Sequence, residues 1–387
     1  MNPKMHRQAL KKLLPNKVTA VLCSGSLINS TADLFYPFEV NRNFYYLTGI
    51  IWPNVVLTIE EKGEILWIEK TDPVRAKWIG GLLNKKEAAL TSGIKDVRYL
   101  DDFALWLKDK PNIVIDRKAK NLRDDIQPNP ELDYDLFPVL AKLRSVKSEE
   151  EIAEISKAIR ITHEALDNVL AHMKPGMHEY EYAADFLYIL NRHQSPEAFE
   201  SIVAGGPRAT ILHNVLNNSL VKDGELCLFD VGATAKLYCA DISRTYPVNG
   251  KFTNRQKEIY QIVLDGQDKV FDAIRPGITT GQLNQILVNH YEDALKRAKV
   301  IKHSDEVREY YYHGVSHSLG LDCHDVGITK ETPLVPGMVI TVEPGLYLRK
   351  EGIGIRIEDD ALVTKTGSQN LSEEIPKRAG EIEERLA

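Results

Sequence analysis

The sequence predicts an α+β protein of two domains: a smaller α/β domain over residues 1–140 and a larger duplicated domain over residues 141–387. Three observations carry this. A chain of 387 residues exceeds one ordinary core. Strand-like and helical stretches alternate from Lys17 to about Asp116. Beyond Ser148 a unit of helix, basic residue, Pro-Gly, helix and strand pair occurs twice, about a hundred residues apart. With 43% hydrophobic and 27% charged residues the composition is that of a soluble globular protein. A net charge of -6 gives no electrostatic reason to bind nucleic acid or an anionic membrane, and no apolar run approaches a membrane span of ~20 residues.

In chain order, Met5–Leu14 reads as a short amphipathic helix closed by Pro15. The alternative for its basic residues is a transit peptide; no apolar h-region follows them, which argues against a secretory signal. Val18–Cys23, Tyr45–Leu47, Val55–Ile59, Glu64–Glu69 and Ile113–Ile115 read as strands, with a hairpin turn at Glu61-Lys62-Gly63. Asp72–Leu83 and Asp101–Lys108 read as helices, and Arg117–Asp135, with Pro128 and Pro130, as a connection. Ser148 and Glu151 form a capping box for a helix through Ile152, Ile155, Ile159, Leu166 and Val169, which Lys174-Pro175-Gly176 ends; the next helix carries Tyr182, Phe186 and Leu190. Thr253 and Gln256 open the second such helix, ended by Arg275-Pro276-Gly277. The cysteines Cys23, Cys227, Cys239 and Cys323 are scattered and read as buried reduced thiols of a cytoplasmic protein.

Chemistry concentrates in two acid pairs and one histidine. Asp230 and Asp241, like Glu343 and Glu358, lie an odd number of residues apart, so across an antiparallel hairpin each pair can meet on one face. The apolar segments around them, Leu226–Val231, Tyr238–Val248, Met338–Glu343 and Ile353–Val363, read as two such hairpins. Four carboxylates on buried strands need a cation, or they take up protons. Together with His317 they suit two divalent ions sharing oxygen donors, and oxygen donors with one imidazole select manganese, cobalt, zinc or iron over copper. Such a centre lowers the pKa of a shared water and polarises a carbonyl, which suits amide hydrolysis. Spacing alone does not choose among His313, His317 and His324 as the nitrogen ligand. His213, at the end of the apolar run Ile211-Leu212, is placed to donate to a substrate oxygen.

These segments also carry a resemblance. D-V-G (230–232) with D-I-S-R-T-Y-P-V, then H-G-V-S-H-S-L-G-L-D-C-H-D-V-G (313–327), T-V-E-P-G-L-Y and G-I-R-I-E-D-D resemble aminopeptidase P and the wider creatinase, prolidase and methionine aminopeptidase group. Y-P-F-E-V-N-R-N-F-Y-Y-L-T-G (36–49) is similar to the front domain of aminopeptidase P and prolidase, and R-S-V-K-S-E-E-E-I to the junction after it. The resemblance implies a pita-bread catalytic domain behind a ribonuclease-H-like, creatinase-type N-terminal domain. It implies that Asp230 chelates one metal, that Asp241 and Glu358 bridge two, and that His317 and Glu343 complete the second, with manganese first among the candidate ions. A bridging hydroxide would attack the scissile carbonyl, Glu343 would carry the proton, and His213 and His324 would stabilise the tetrahedral intermediate. His313 would shape the proline-side pocket. Arg356, two residues before Glu358 and so on the same face, would hold a bridging carboxylate or meet a substrate carboxylate.

The expected activity is removal of an N-terminal residue preceding proline from short peptides, by a cytoplasmic homodimer. An Xaa-Pro bond has no N–H and a locked φ, so it cannot present the extended strand ordinary proteases read. The rivals are an Xaa-Pro dipeptidase (prolidase), a non-catalytic binding protein on the same fold, and a metal-free creatinase-like hydrolase. Ser316 and the run N-L-S-E-E-I-P-K favour aminopeptidase P, while Ser318 departs from the bulky aromatic often found there and bears on pocket width. Taken singly, a buried strand acid is a structural residue, and five in order are not. Tyr347 reads as core, and His163, His172, His178, His193, His290 and His303 as surface residues.

Overall fold

The computed structural model describes residues 2–387 apart from 111, 120–122, 124 and 130, together with all side chains of the described helices and strands except those of Arg75 and Ile79. The chain divides into two compact units, Met1–Arg144 and Ser145–Ala387. Parts of the expected connection Arg117–Asp135, Pro130 among them, lie outside the described residues.

The first unit is built on a five-stranded sheet in the order Asp96–Tyr99, Gly63–Ile68, Val56–Glu60, Thr19–Cys23, Ile113–Ile115. The two edge strands run parallel to their neighbours and the inner pairings are antiparallel. Trp67, fully buried, packs edge-on against Phe103 in the core beneath the sheet. The helix Pro3–Lys11 owes its place to a buried cation: Arg7 is 1% exposed and donates to Glu64 at 2.6 Å and to the Leu47 carbonyl at 2.6 Å. Two expectations fail here. Tyr45–Leu47 lies inside a helix, Arg42–Thr48, which the Asn41 side chain caps at the Phe44 amide and Gly49 closes with φ 70°. The aromatic run suggested a strand, but a cap at each end and burial of the three aromatic side chains override that propensity. The helix expected over Asp72–Leu83 stops at Ile79 before Gly80, and a second helix, Lys85–Ser92, starts under its own capping box, Asn84 with Glu87.

In the second unit the helices Glu149–His172 and Asn254–Ala273 begin at the predicted capping boxes. Each pairs with a following helix, Glu179–Arg192 and Thr280–Arg297. The duplication extends to single hydrogen bonds. The Gly176 amide donates to the Val221 carbonyl at 2.8 Å and the Val221 amide to the Met177 carbonyl at 2.9 Å. In the other half Gly277 donates to Leu334 at 2.8 Å and Leu334 to Ile278 at 2.8 Å. Gly176 and Gly277 have φ 87° and 90°, which explains the Pro-Gly in both: proline stops the helix and glycine takes the left-handed turn.

Each helix pair backs a small antiparallel sheet, 242–247/226–231/202–205 in one half and 339–342/359–363/368–370 in the other. The halves join along their strands, where the Glu358 amide donates to the Ser243 carbonyl at 3.0 Å. None of the described helices is long and apolar enough to cross a membrane.

Candidate metal centre

The two acid pairs reach one cavity by different routes. In the second hairpin Val342 faces Asp359 in one ladder and Gly345 faces Arg356 in the next, and the same register places Glu343 opposite Glu358 between them. The parity argument holds there as stated. In the first hairpin Asp230 faces Ser243, not Asp241. Asp241 sits just before that strand, two positions from Ser243 and so on Asp230's face, because a small inserted hairpin, Thr234–Ala235 with Tyr238–Cys239, occupies the connection. Gly232 makes this tight crossing possible: a Cβ there would lie 2.0 Å from the Ala240 carbonyl oxygen.

His317 completes the group. Its amide donates to Thr341 Oγ1 at 3.1 Å, and the Thr341 amide donates back to its carbonyl at 3.0 Å. This lays the His313–His317 segment along the Glu343 strand. His317 Nε2 lies 3.4 Å from Asp241 Oδ2 and 3.6 Å from Glu343 Oε1. One donor atom from each of Asp241, His317 and Glu358 lies within 4.8 Å of the others. Asp230, Asp241, His317, Glu343 and Glu358 all line one cavity of about 570 Å³, with His213, His313, His324 and Arg356. An apolar wall of Phe199, Ile202, Leu212 and Val215 closes one side.

Arg356 is 4% exposed, and its guanidinium is fully engaged. Nη2 pairs with Asp230, Nε donates to Ser243 Oγ at 2.8 Å, and Nη1 donates to Tyr347 Oη at 3.1 Å. Ser243 in turn donates to Glu358 Oε2 at 2.7 Å, and Tyr347 Oη also meets His313 Nε2 at 2.8 Å. Ser243 and Tyr347 were missed in the sequence, where Tyr347 reads as core. The signal for Ser243 was its position two residues after Asp241 on a strand of known face. Nothing in the sequence marked the Tyr347 hydroxyl. The Asp241 amide donates to Asp360 Oδ2 at 3.2 Å. Cys323, expected to be a buried thiol, is only half-buried, lines the cavity and donates to Asp241 Oδ2 at 2.8 Å. Ser318 stays 2% exposed in a bridge to Ile340 and is not among the lining residues.

The electrostatics show what the cavity requires. Burial lifts Asp230 above the ordinary carboxylate range, with Arg356 opposing. Burial and the neighbouring Asp241, Glu343 and Asp230 charges push Glu358 well up. Glu343 rises to about 7, mainly by burial. His317 is carried up to about 9: burial works against the charge, and the hydrogen bond and charge of Asp241, with Glu343, outweigh it. His313 falls to about 4, through burial and then Arg356. Four facing carboxyls outnumber the Arg356 guanidinium and the His317 imidazolium, and oxygen donors with one imidazole are what hard or borderline divalent ions bind. The residues present therefore fit a metal centre.

Residues 153–365 match the metallopeptidase family M24, and residues 4–112 match the aminopeptidase P N-terminal domain. The Xaa-Pro aminopeptidase of Escherichia coli is 33% identical, covering 97% of this chain and 95% of that protein. That of Haemophilus influenzae is 34% identical, covering 91% and 89%. Among solved structures, aminopeptidase P from E. coli with the inhibitor Pro-Leu superposes with a TM-score of 0.93 at 32% identity, covering 100% of this chain and 97% of that one. A Bacillus anthracis chain assigned to aminopeptidase P gives a TM-score of 0.94 at 40% identity, covering 100% and 98%. The α+β architecture is thus an aminopeptidase P N-terminal domain followed in the chain by a pita-bread domain, and the chain belongs to metallopeptidase family M24, in its aminopeptidase P branch.

Proposed function

We propose that the chain is an Xaa-Pro aminopeptidase, a metallo-exopeptidase that releases the first residue of short peptides with proline second. The observation that carries this is the convergence of Asp230, Asp241, His317, Glu343 and Glu358 on one cavity. Two divalent ions would fit the donor count, and Asp230, Asp241, His317, Glu343 and Glu358 would hold them. Manganese is the first choice, with cobalt, zinc or iron as alternatives. Bound there, such ions make water a nucleophile near neutral pH and polarise the scissile carbonyl.

The chain's own residues do the rest. Glu343, which lines the cavity, takes the water's proton on a carboxylate oxygen. It passes the proton to the proline ring nitrogen, which has no hydrogen of its own and must gain one to leave. His213 and His324, both exposed at the cavity, donate to the oxygen that gains charge. His313 stays neutral, and Tyr347 fixes its ring against the proline side. Arg356 serves the centre by holding Asp230, and a substrate carboxylate would have to displace that contact.

That last point separates the leading activity from its rival. A strict Xaa-Pro dipeptidase needs a cation for the free carboxylate of proline. Among the described lining residues Arg356 is the one guanidinium and there is no lysine. Cleavage of Ala-Pro-Ala against Ala-Pro by the metal-loaded protein decides: tripeptide turnover supports the proposal, and dipeptide turnover alone would overturn it. A non-catalytic role is disfavoured because all five donor positions are filled. We further propose a homodimer formed through the first unit, supported by Leu34, Phe35 and Tyr36 exposed together on the hairpin 29–31/34–35, and testable by sedimentation. The four free thiols support a reducing, cytoplasmic setting.

A further inference from the structure

The cavity edge holds a second donor set of different chemistry. The rings of His317 and His324 stand edge to face with centroids 4.3 Å apart, and Cys323 lies between them in sequence with its sulfur 2.8 Å from Asp241 Oδ2. One donor atom each from His317, Cys323 and His324 lies within 4.8 Å of the others. Small side-chain rotations bring such a set onto one ion. His317 also belongs to the group with Asp241 and Glu358, so the two sets share one imidazole. The carboxylate group suits hard ions, whereas a thiolate with two imidazoles suits a thiophilic ion in tetrahedral geometry. Cys23, Cys227 and Cys239 are buried, while Cys323 is half-buried and lines the cavity, so it is the thiol an entering ion meets.

We propose that Cys323, His324 and His317 form an inhibitory site for a thiophilic divalent ion such as cadmium, which draws the His317 imidazole away from the carboxylate centre. This rests on His317 serving that centre, as proposed above. On binding, an ion–sulfur bond forms, the S–H bond breaks and the proton leaves to solvent, with no change of oxidation state. Manganese and magnesium gain little from the thiolate, because hard cations prefer oxygen. The chain is then active with a hard ion and is switched off by a soft one through the same imidazole.

The test titrates the manganese-loaded full chain with cadmium and follows two readouts, the ultraviolet thiolate-to-cadmium charge-transfer band and cleavage of Ala-Pro-Ala. In the unaltered protein the band grows over the concentrations that abolish cleavage. Cys323→Val, read against its own uninhibited rate at saturating manganese, shows no band and needs about tenfold more cadmium or higher for the same fractional inhibition. Cys323→Ser, which keeps a hydroxyl toward Asp241, gives the same result and covers the case in which the valine variant folds poorly. An inhibited protein without the band, a band that persists in both variants, or unchanged cadmium sensitivity would each overturn the proposal. If His317→Ala cleaves as well as the unaltered chain while the band still depends on Cys323, the fault lies in the assignment of His317 to the catalytic centre.

Discussion

Ser243→Ala tests whether the centre is organised by groups behind its ligands. The hydroxyl is fully buried, donates to Glu358 Oε2 at 2.7 Å and accepts from Arg356 Nε at 2.8 Å. Alanine leaves a carboxylate oxygen and a guanidinium N–H without that partner, and each such loss costs about 1–3 kcal/mol in a buried setting. The backbone is spared, since the pairing of Ser243 with Asp230 and the bond from the Glu358 amide to its carbonyl use main-chain atoms. Part of the loss returns as relaxation, so a stability drop of about 1–3 kcal/mol in total is expected in the metal-free protein. Glu358 and Asp230, the latter through Arg356, both lose orientation, so affinity for manganese should fall by about 10–100-fold, the range for groups that hold ligands in place. The assay is calorimetric titration of the metal-free protein with manganese, followed by kcat and KM for Ala-Pro-Ala at saturating metal. Most of the activity should return at saturation, because the ligands themselves remain. Unaltered manganese affinity in a folded variant would refute the reasoning, since Ser243 would then be ordinary strand packing.

Four further outcomes are expected. Asp241→Ala should abolish Ala-Pro-Ala cleavage even at high metal concentration, and retained activity would remove the basis for a shared-carboxylate centre. Tyr347→Phe should lower kcat/KM by about tenfold, chiefly through KM, because His313 and Arg356 Nη1 both lose the hydroxyl; steady-state kinetics reads the split. Gly232→Ala should cost metal binding more than Ser243→Ala does, since its Cβ would collide with the Ala240 carbonyl and push Asp241 off the face of Asp230. In the metal-free protein, Glu343 is raised from 4.5 to about 7, so its contribution favours the folded state below 4.5 and fades as pH rises through 7. His317, raised from 6.5 to about 9, contributes fully below 6.5 and loses that contribution through 9. Metal binding needs both groups deprotonated, so the rise in Tm on adding manganese should grow with pH across this window, and thermal melts with and without chelator would show it.

Much of the site was legible because its logic is periodic. Parity placed Glu343 opposite Glu358, and the caps at Ser148 and Thr253 fixed where the two halves begin. The register of the first hairpin was not legible, because the inserted pair Thr234–Ala235 and Tyr238–Cys239 uses residues that read as plain connection and strand. The even number of intervening positions preserved the face while changing the partner, which is why Asp241 still lines the cavity and Ser243 was overlooked. Tyr45–Leu47 failed for a different reason: in a short buried helix, tertiary packing sets the backbone, and the local signal lay in Asn41 and Gly49 at its ends. Contacts such as Tyr347 with Arg356 and His313 depend on where three separate segments cross, and no local pattern encodes that.

The neighbours Glu358 and Asp359 show how the chain reserves a place for metal. Both are buried, at 2% and 0% exposure, and successive strand positions send them to opposite faces. Asp359 meets Arg244 Nη2 at 2.7 Å and Lys377 Nζ at 2.6 Å. Burial would raise its carboxyl, but these two cations hold it down at about 2. Among the described residues Glu358 pairs with no cation closer than Arg356 Nε at 4.0 Å, and it is pushed well up. Burial is common to the two, so the difference is the partner. Two cations stand on the rear face for one carboxylate, whereas among the described residues the cavity face has the Arg356 guanidinium and the His317 imidazolium for four carboxylates. Had the cluster been structural, matching cations on both faces would be the more stable arrangement. The imbalance leaves carboxyls that hold protons where a cation is missing, and a divalent ion takes the place of those protons. Lys377→Met should therefore destabilise the chain with or without metal, because it uncovers Asp359 and Gln267 Oε1, neither of which lines the cavity, while Glu358→Gln should stabilise the metal-free protein and remove its response to manganese. Thermal melts of both variants, with chelator and with manganese, separate the two faces; a Glu358→Gln protein less stable than the parent without metal would show that the front carboxylates are held by something other than ions.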